Sequence, residues 1–258
     1  MATSITATAI PPRPRKPFAG GHPADRNFFL TYVLLIWLAV LAGFIPDMIR
    51  HIRSSEPAYP ISIHVHAAIT LGWLALLTSQ TLLVRNGLLR LHRSFGTAGA
   101  LLAVAVVAIG VWAALSFERL AMGTPKFRPS FLSIEWSNLI EFGVLAAAAI
   151  SARSQPSAHK RLILLATISL TPAAFNRAIG RSLHELLGSG VLQTFIQIFA
   201  ATDLLVLGIG AYDLWSRRRV HPAWALGASF IVVAQLTASW LYYNPTWKLL
   251  ATGILRSW

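Results

Sequence analysis

Seven long apolar runs, separated by short polar segments, dominate the chain. They cover Phe28–Pro46, Ile63–Val84, Thr97–Phe117, Phe131–Ile150, Arg161–Phe175, Val191–Tyr212 and Pro222–Tyr243. Runs of about 18 residues or more are long enough to cross a bilayer as helices. Because backbone polar groups in lipid must pair within the protein, uninterrupted runs of this length favour helices over barrel strands. The fifth run is the shortest, and it spans only if Arg177 extends its charge outward at the far end.

The segments outside these runs complete an all-α architecture. Residues 1–26 contain Pro11-Pro12-Arg13-Pro14-Arg15-Lys16-Pro17, where proline opposes helix and the cations oppose burial, so we predict a disordered basic tail. Residues 245–258 are too short to cross, and tryptophan and basic residues among aliphatic ones favour an interfacial helix there. Between them, residues 27–244 are predicted to form one polytopic membrane helical bundle of about seven transmembrane helices.

Composition agrees with a membrane location. Hydrophobic residues make up 55% of the 258 residues and charged residues only 12%, whereas a soluble domain carries about a quarter charged residues. Cysteine is absent, which excludes disulfides, thiolate metal sites, covalently attached haem and a cysteine nucleophile. The predicted partner is the lipid bilayer, with other membrane-protein subunits left open.

The basic residues indicate an orientation. A net charge of +13 would suggest nucleic acid as the partner of a soluble protein, but most lysines and arginines here lie in short loops between apolar runs, so no nucleic acid is predicted. With a cytoplasmic N-terminus, 13 of the 22 basic residues fall on the cytoplasmic side, as the positive-inside rule requires. The first 26 residues are too polar for a cleavable signal peptide. We therefore predict a multi-pass protein of the bacterial inner membrane with its N-terminus in the cytoplasm.

Polar residues inside the runs mark a first candidate site. Ionisable side chains within a membrane span are costly unless they are paired or hydrated, and by default they suggest function. In the predicted orientation, most of the polar residues of four runs lie toward the outer side, where they would form a pocket. The set comprises His64, His66, Trp73, Glu135, Asn138, Glu141, Asn176, Arg177, Gln197 and Asp203.

The leading prediction is that this outward-facing pocket binds a small ligand, a metal ion or a partner membrane protein, and two alternatives stay open. His66, Glu135 and Glu141 are residue types that bind a metal ion, although His64 and His66 point about 160° apart on an ideal helix and cannot chelate one ion together. A proton-coupled transporter would use Glu141, Asp203 and Arg177. The structural alternative is an ion pair between Glu141 and Arg177 that only joins two helices.

A second candidate site lies on the cytoplasmic side. His92 and His159 precede the third and fifth runs at the same depth, and two neutral imidazoles at equal depth on neighbouring helices are what a b-type haem needs. Both histidines are flanked by basic residues outside the apolar runs, which is also typical of anchors that meet lipid phosphates. Haem ligation and interfacial anchoring are the two interpretations.

The helix starts carry a resemblance. Leu91-His92-Arg93-Ser94-Phe95-Gly96 and Ala158-His159-Lys160-Arg161-Leu162 resemble a broad group of bacterial integral membrane proteins, over about residues 28–250. This resemblance implies a helical membrane protein and assigns no activity. The chain is also similar to the cytochrome b561 and ferric-reductase type of bundle, which implies haem between His92 and His159. The fourth run carries Glu135, Asn138 and Glu141 and no histidine, so a second haem pair is missing.

No catalytic motif is present. The lysines, Lys16, Lys126, Lys160 and Lys248, all lie outside the middle of a run, which excludes a retinal Schiff base. Phosphate-binding glycine loops, Gly-x-Ser-x-Gly and His-Glu-x-x-His are absent as well. If the protein is an enzyme, a membrane oxidoreductase is the class that the histidines favour.

Overall fold

A computed structural model, which describes residues 18–55 and 57–258, confirms an all-α polytopic helical bundle. Within those ranges there is no β-strand. The helices of the described ranges are α1 (Asp25–Arg53), α2 (Ile61–Arg85), α3 (Leu89–Leu120), α4 (Leu132–Ser151), α5 (Pro156–Ile168), α6 (Pro172–Leu187), α7 (Val191–Arg217), α8 (Pro222–Tyr243) and α9 (Pro245–Ser257). A short 3₁₀ turn, Pro129–Phe131, precedes α4.

Six of these helices, α1 to α4, α7 and α8, are long and apolar enough to cross a membrane. The predicted fifth run is not a single helix, because it is divided between α5 and α6, which meet at a bend of 46°. Pro172 is the reason, since it lacks the N–H that would continue the helical ladder. The Ile168 carbonyl, its partner in an unbroken helix, accepts the Thr171 hydroxyl at 2.7 Å instead. Counted as one broken span, the pair brings the total to seven.

Hydrogen bonds between helices define the two ends of the bundle. At the basic end, Lys160 of α5 and Arg217 of α7 both reach Asp25 of α1, at 2.6 and 2.8 Å. At the opposite end, the backbone N–H of Gly190, just after α6, donates to the Tyr243 hydroxyl at the end of α8 (2.9 Å). The broken pair α5–α6 therefore runs from the basic end to the opposite end.

Local sequence explains several helix starts. Four helices begin with proline, at Pro156, Pro172, Pro222 and Pro245, a position where the missing N–H costs nothing. The Asn244 side chain accepts backbone N–H groups of the first turn of α9 at 2.9 and 3.2 Å. This helix is the one predicted at the C-terminus, and its residues Ala251 and Leu255 are fully buried.

The core lies around α4, which packs against α3, α5 and α8. Phe142 and Ala149 of α4 and Leu165 of α5 are fully buried there. Large aliphatic side chains face outward on the bundle surface, including Leu101 of α3 and Leu204 of α7, which are 71% and 69% exposed. Apolar side chains on the outer surface are what a bilayer requires, so lipid is the natural surrounding of this bundle.

Ion pairs are buried at the basic end. Arg161 and Asp213 are both 0% exposed and form a two-contact pair, one of them from Arg161 Nε to Asp213 Oδ2 at 2.7 Å. Lys160 and Arg161 are the basic residues that follow His159 at the start of the predicted fifth run. Both point into the bundle because the two acids of this end, Asp25 and Asp213, lie there.

Part of the predicted N-terminal tail contacts the same network. The Phe18 ring lies edge-on against His221 at 4.5 Å and within 4.9 Å of the Arg161 guanidinium. The Ala19 carbonyl accepts from Arg217 at 3.3 Å. The tail predicted for residues 1–26 therefore packs on the bundle from Phe18 onward, and residues 1–17 lie outside the described residues.

Removing one partner of the buried pair should destabilise the fold strongly. Arg161→Ala leaves Asp213 as an uncompensated buried charge, and we expect a loss of about 3–5 kcal/mol in the free energy of unfolding. Replacing both partners, as Arg161→Met with Asp213→Leu, should restore most of that loss. The measurement is denaturation in mixed detergent micelles followed by tryptophan fluorescence.

Arg50→Ala is the control, because Arg50 pairs with Asp47 at 3.5 Å on an exposed surface and should cost less than about 0.5 kcal/mol. Equal stability losses in the Arg161 and Arg50 variants would contradict the role assigned to the buried pair.

Candidate functional site: a buried polar centre at a helix break

A polar centre lies inside the bundle, at the depth of the break between α5 and α6. Its members are Ser137 and Glu141 of α4, Thr171 of the break, Thr202 and Asp203 of α7 and Gln235 of α8. Glu141, Thr202 and Gln235 are fully buried. Polar groups so far from water need partners inside the protein or a bound ligand.

Only one of the two carboxyl oxygen atoms of Glu141 has a hydrogen-bond partner among the described residues. Its Oε1 atom accepts the Ser137 hydroxyl at 2.9 Å, and its Oε2 atom is buried without a hydrogen-bond partner in the described structure. The geometry follows from helix direction, because side chains lean toward the helix N-terminus and so carry the Glu141 carboxyl back over Ser137.

Asp203 faces the same region from α7. Thr202, the residue before it, exchanges a hydrogen bond of 3.0 Å with Thr171, which ties α7 to the break. The Asp203 carboxyl interacts electrostatically with Glu141, and its Oδ1 atom is buried with no partner among the described residues. Two carboxyl groups close enough to influence each other electrostatically therefore lie near the broken helix.

Gln235 completes the centre from α8. The two helices α4 and α8 run antiparallel, because the Ser133 hydroxyl donates to the Ala238 carbonyl at 3.0 Å. This register sets Gln235 at the level of Ser137, and the amide lies beside Asp203. Apart from this interaction with Asp203, the amide has no hydrogen-bond partner among the described residues. The centre thus offers carboxyl and amide groups with unused hydrogen-bonding capacity.

Cations at both ends of the bundle are already paired with other acids. Arg177 lies 3.2 Å from Asp47 of α1 and stacks over Phe44 at 4.5 Å, and Arg161 is held by Asp213. The predicted ion pair between Glu141 and Arg177 is therefore wrong, since α6 turns at the break and carries Arg177 toward α1. Unpaired carboxyls at mid-depth can bind protons or cations, and broken helices near the membrane midplane are typical of such sites.

The remaining residues of the predicted pocket are dispersed. His64 is exposed, and Asn138 and Asn176 are half-buried. Trp73 donates its indole N–H to Thr167 of α5 at 3.1 Å, and Gln197 donates to the Gly188 carbonyl at the end of α6 at 2.6 Å. Trp73 and Gln197 therefore hold helices together in this arrangement.

The candidate metal ligands do not form one cluster. In the ranges that the structure describes, no group of three or more His, Asp or Glu side chains lies close enough to hold a metal ion. His66 is half-buried with its Nδ1 atom unpaired, and Glu135 interacts electrostatically with Glu118 and Arg177 near the opposite end. The predicted set His66, Glu135 and Glu141 is thus divided between that end and the polar centre.

The two histidines of the basic end do come together. The rings of His92 and His159 lie with centroids 6.3 Å apart and planes at 78°. His159 Nδ1 lies 2.8 Å from the Ala149 carbonyl, so it carries the proton and leaves Nε2 as a free acceptor. This carbonyl is the outer partner that a ligating histidine needs, and it could not be identified from the sequence.

A serine beside a histidine at this end is not a catalytic pair. His221 Nε2 lies 3.1 Å from Ser157 Oγ, and His221 Nδ1 accepts the backbone N–H of Ala223 at 3.0 Å. Because Nδ1 is the acceptor, Nε2 carries the proton and cannot take one from the serine. Burial and the neighbouring Arg161 lower the pKa of His221 to about 4, which keeps the ring neutral.

Sequence reasoning missed two acids of the basic end, Asp25 and Asp213, and two threonines of the polar centre, Thr171 and Thr202. The two acids could have been identified from the sequence. An aspartate among the basic residues that flank a membrane helix indicates an ion pair with one of those basic residues. Thr171 and Thr202 carried little signal, because threonine is common in apolar helices.

No protein-family model, curated protein or solved structure matches this chain.

Acid should destabilise the protein through His221. An unfolded histidine titrates near 6.5, whereas His221 titrates at about 4 in the fold. Its contribution to stability is complete above pH 6.5 and is lost as the pH falls toward 4, by on the order of 1–3 kcal/mol. Thermal unfolding of wild type and His221→Asn, which keeps a capping side chain, should therefore diverge at pH 7 and converge at pH 4.5. Parallel profiles would contradict the assignment.

Proposed function

We propose that the protein is a proton-coupled small-molecule transporter whose coupling groups are Glu141 and Asp203. The observation that carries this proposal is the presence of two carboxyl groups within the bundle, near a broken membrane helix, each with a buried oxygen atom that the described residues leave unsatisfied. Such groups are costly in a membrane interior and persist where an ion or proton pathway needs them.

The broken helix supports the same proposal. Half-helices leave backbone carbonyl and N–H groups at mid-depth that a continuous helix would consume, and transporters bind coupling ions and substrates at such points. Here the break is tied to α7 by Thr171 and Thr202, one residue before Asp203. A change in the protonation of Asp203 can therefore act directly on the bend between α5 and α6.

An orientation in the membrane belongs to the proposal. We assign the basic end to the cytoplasm of a bacterial inner membrane, because the majority of the lysine and arginine residues collect there. The opposite end then faces outward, and His66 and Asn138 are the residues of the predicted pocket that we assign to an outer approach to Glu141. The unpaired polar atoms of His66 and Asn138, on α2 and α4, support this approach. Whatever small ligand, metal ion or partner subunit the protein recognises from outside would meet these residues first.

Glu141→Gln should abolish proton movement. In proteoliposomes that contain a pH-sensitive dye, a membrane potential drives protons through the wild-type protein, and we expect the variant to match protein-free liposomes because an amide cannot carry a proton through the centre. Glu185→Gln is the matched control, since Glu185 is exposed on α6 and the chemical change is identical. Unchanged proton movement in Glu141→Gln would remove Glu141 from this role.

Haem binding is the second candidate function, on a separate observation. Metal–nitrogen bonds of about 2 Å place two imidazole centroids about 6 Å apart across one iron, and the centroids of His92 and His159 are 6.3 Å apart. The Ala149 carbonyl fixes the His159 tautomer that ligation needs. A bound haem would supply one-electron redox chemistry at the basic end.

The haem candidate predicts a coloured protein. Purified from haem-replete cells, the protein should show a Soret band that is lost in His159→Ala. His64→Ala serves as the control, because His64 is exposed on α2 near the opposite end. A colourless, iron-free preparation would eliminate this candidate and leave the transporter proposal untouched.

A further inference from the structure

An open cleft of about 560 Å³ lies between α7 and α8. Its apolar walls are formed chiefly by Val206 and Leu207 of α7 and by Trp224, Ala228 and Val232 of α8, and Asp203 is part of its lining. The cleft is as large as a site for a small organic molecule. It therefore connects the surface of the bundle with a carboxyl group of the polar centre.

The cleft opens sideways, toward lipid. Its rim residues Leu207 and Val233 are 57% and 63% exposed, and the neighbouring Leu204 and Leu226 are 69% and 75% exposed. Aliphatic side chains with that exposure face acyl chains in a bilayer. A molecule that enters the cleft from this direction must be soluble in the membrane.

Contacts between the helices hold the cleft open. The Trp224 indole N–H donates to the Val206 carbonyl at 2.9 Å, and its ring rests on Gly210, where a side chain would collide with it. Below this contact, α8 presents the small residues Ala225, Ala228 and Ser229. The helices α7 and α8 are thus in contact at Trp224, and the small side chains that follow on α8 leave space between them.

The charge of Asp203 determines which class of molecule the cleft can bind. Asp203 has no cationic partner within salt-bridge distance in the part of the chain that the structure describes, and its Oδ1 atom is buried and unpaired. In a medium of low polarity an unpaired carboxylate attracts a cation strongly, whereas it repels an anion. The walls require the rest of the molecule to be apolar.

We propose that the cleft binds a lipophilic amine in its ammonium form, with the charged head at Asp203 and the hydrocarbon between α7 and α8. The ligand reaches the cleft from the bilayer. As the substrate of the transporter, the amine rests on the function proposed above, because the ammonium group and the coupling proton then compete for the same pair of carboxyls. As a binding site, the cleft stands on its own geometry.

The test uses the full-length protein in nanodiscs, with tritiated 4-phenylbutylammonium as the probe and equilibrium dialysis as the measurement. Protein-free nanodiscs measure partition into lipid. We expect saturable binding by wild type and by Asp203→Glu, and an affinity weaker by about tenfold or more in Asp203→Asn. The neutral analogue 4-phenylbutanol should not show saturable binding.

A second variant covers the case in which Asp203→Asn fails to fold. Ser229→Phe fills the cleft and keeps the carboxyl, so it should abolish saturable binding. Thr237→Phe is the control, because Thr237 is exposed on the same helix outside the cleft lining and should leave binding unchanged.

Equal binding of the ammonium and the alcohol, or full binding by Ser229→Phe, would overturn the inference and identify the cleft as a groove for acyl chains. Binding of the amine together with unaltered proton movement in Glu141→Gln would retain the site and reject the transporter. Proton movement that depends on Glu141 without amine binding would do the reverse.

Discussion

Arg161 and Asp213 are both fully withdrawn from solvent, and each is tolerable there only because of the other. Their pairing joins α5 to α7, while Lys160 and Arg217 join the same two helices to Asp25 at the start of α1. The helices α1, α5 and α7 are therefore joined at the basic end by ion pairs inside the bundle. Such pairs stabilise little against an apolar substitute, but the loss of one partner is costly. The basic end is consequently the part of the bundle least free to rearrange.

The polar centre shows the opposite condition. At the basic end every buried acid has its cation, whereas the oxygens of Glu141 and Asp203 are left partly unsatisfied at mid-depth by the described residues. The helix break lies at the polar centre, since α5 begins in the ion-pair network and ends at Ile168, just before Thr171. The bundle thus combines an anchored basic end with an unsatisfied polar centre. This division of the molecule is what connects the fold to the proposed transport.

Several elements were predictable because the membrane restricts what a sequence can do. A long, uninterrupted apolar run such as Val191–Tyr212 favours a helix in lipid, and α7 confirms this prediction. Pro172 lay inside the predicted fifth run and was the visible reason for its division, since proline cannot continue the hydrogen-bond ladder. The depth of Glu141 and Asp203 was also readable, because depth follows from position along a helix.

What the sequence alone determined was therefore the all-α class, the approximate positions of the long apolar helices and the place of each polar residue along its helix, which all depend on one segment at a time. Which polar residues meet was decided by the tertiary structure. Glu141 interacts electrostatically with Asp203 and is not paired with Arg177, because α6 turns toward α1, where Asp47 holds Arg177 at 3.2 Å. Lys160 and Arg161 point inward and not toward lipid because Asp25 and Asp213, distant in sequence, lie there. The rotation of each helix about its axis, and the choice of the helices that it contacts, depend on packing between segments. The hydrophobic periodicity of one segment does not specify either of them.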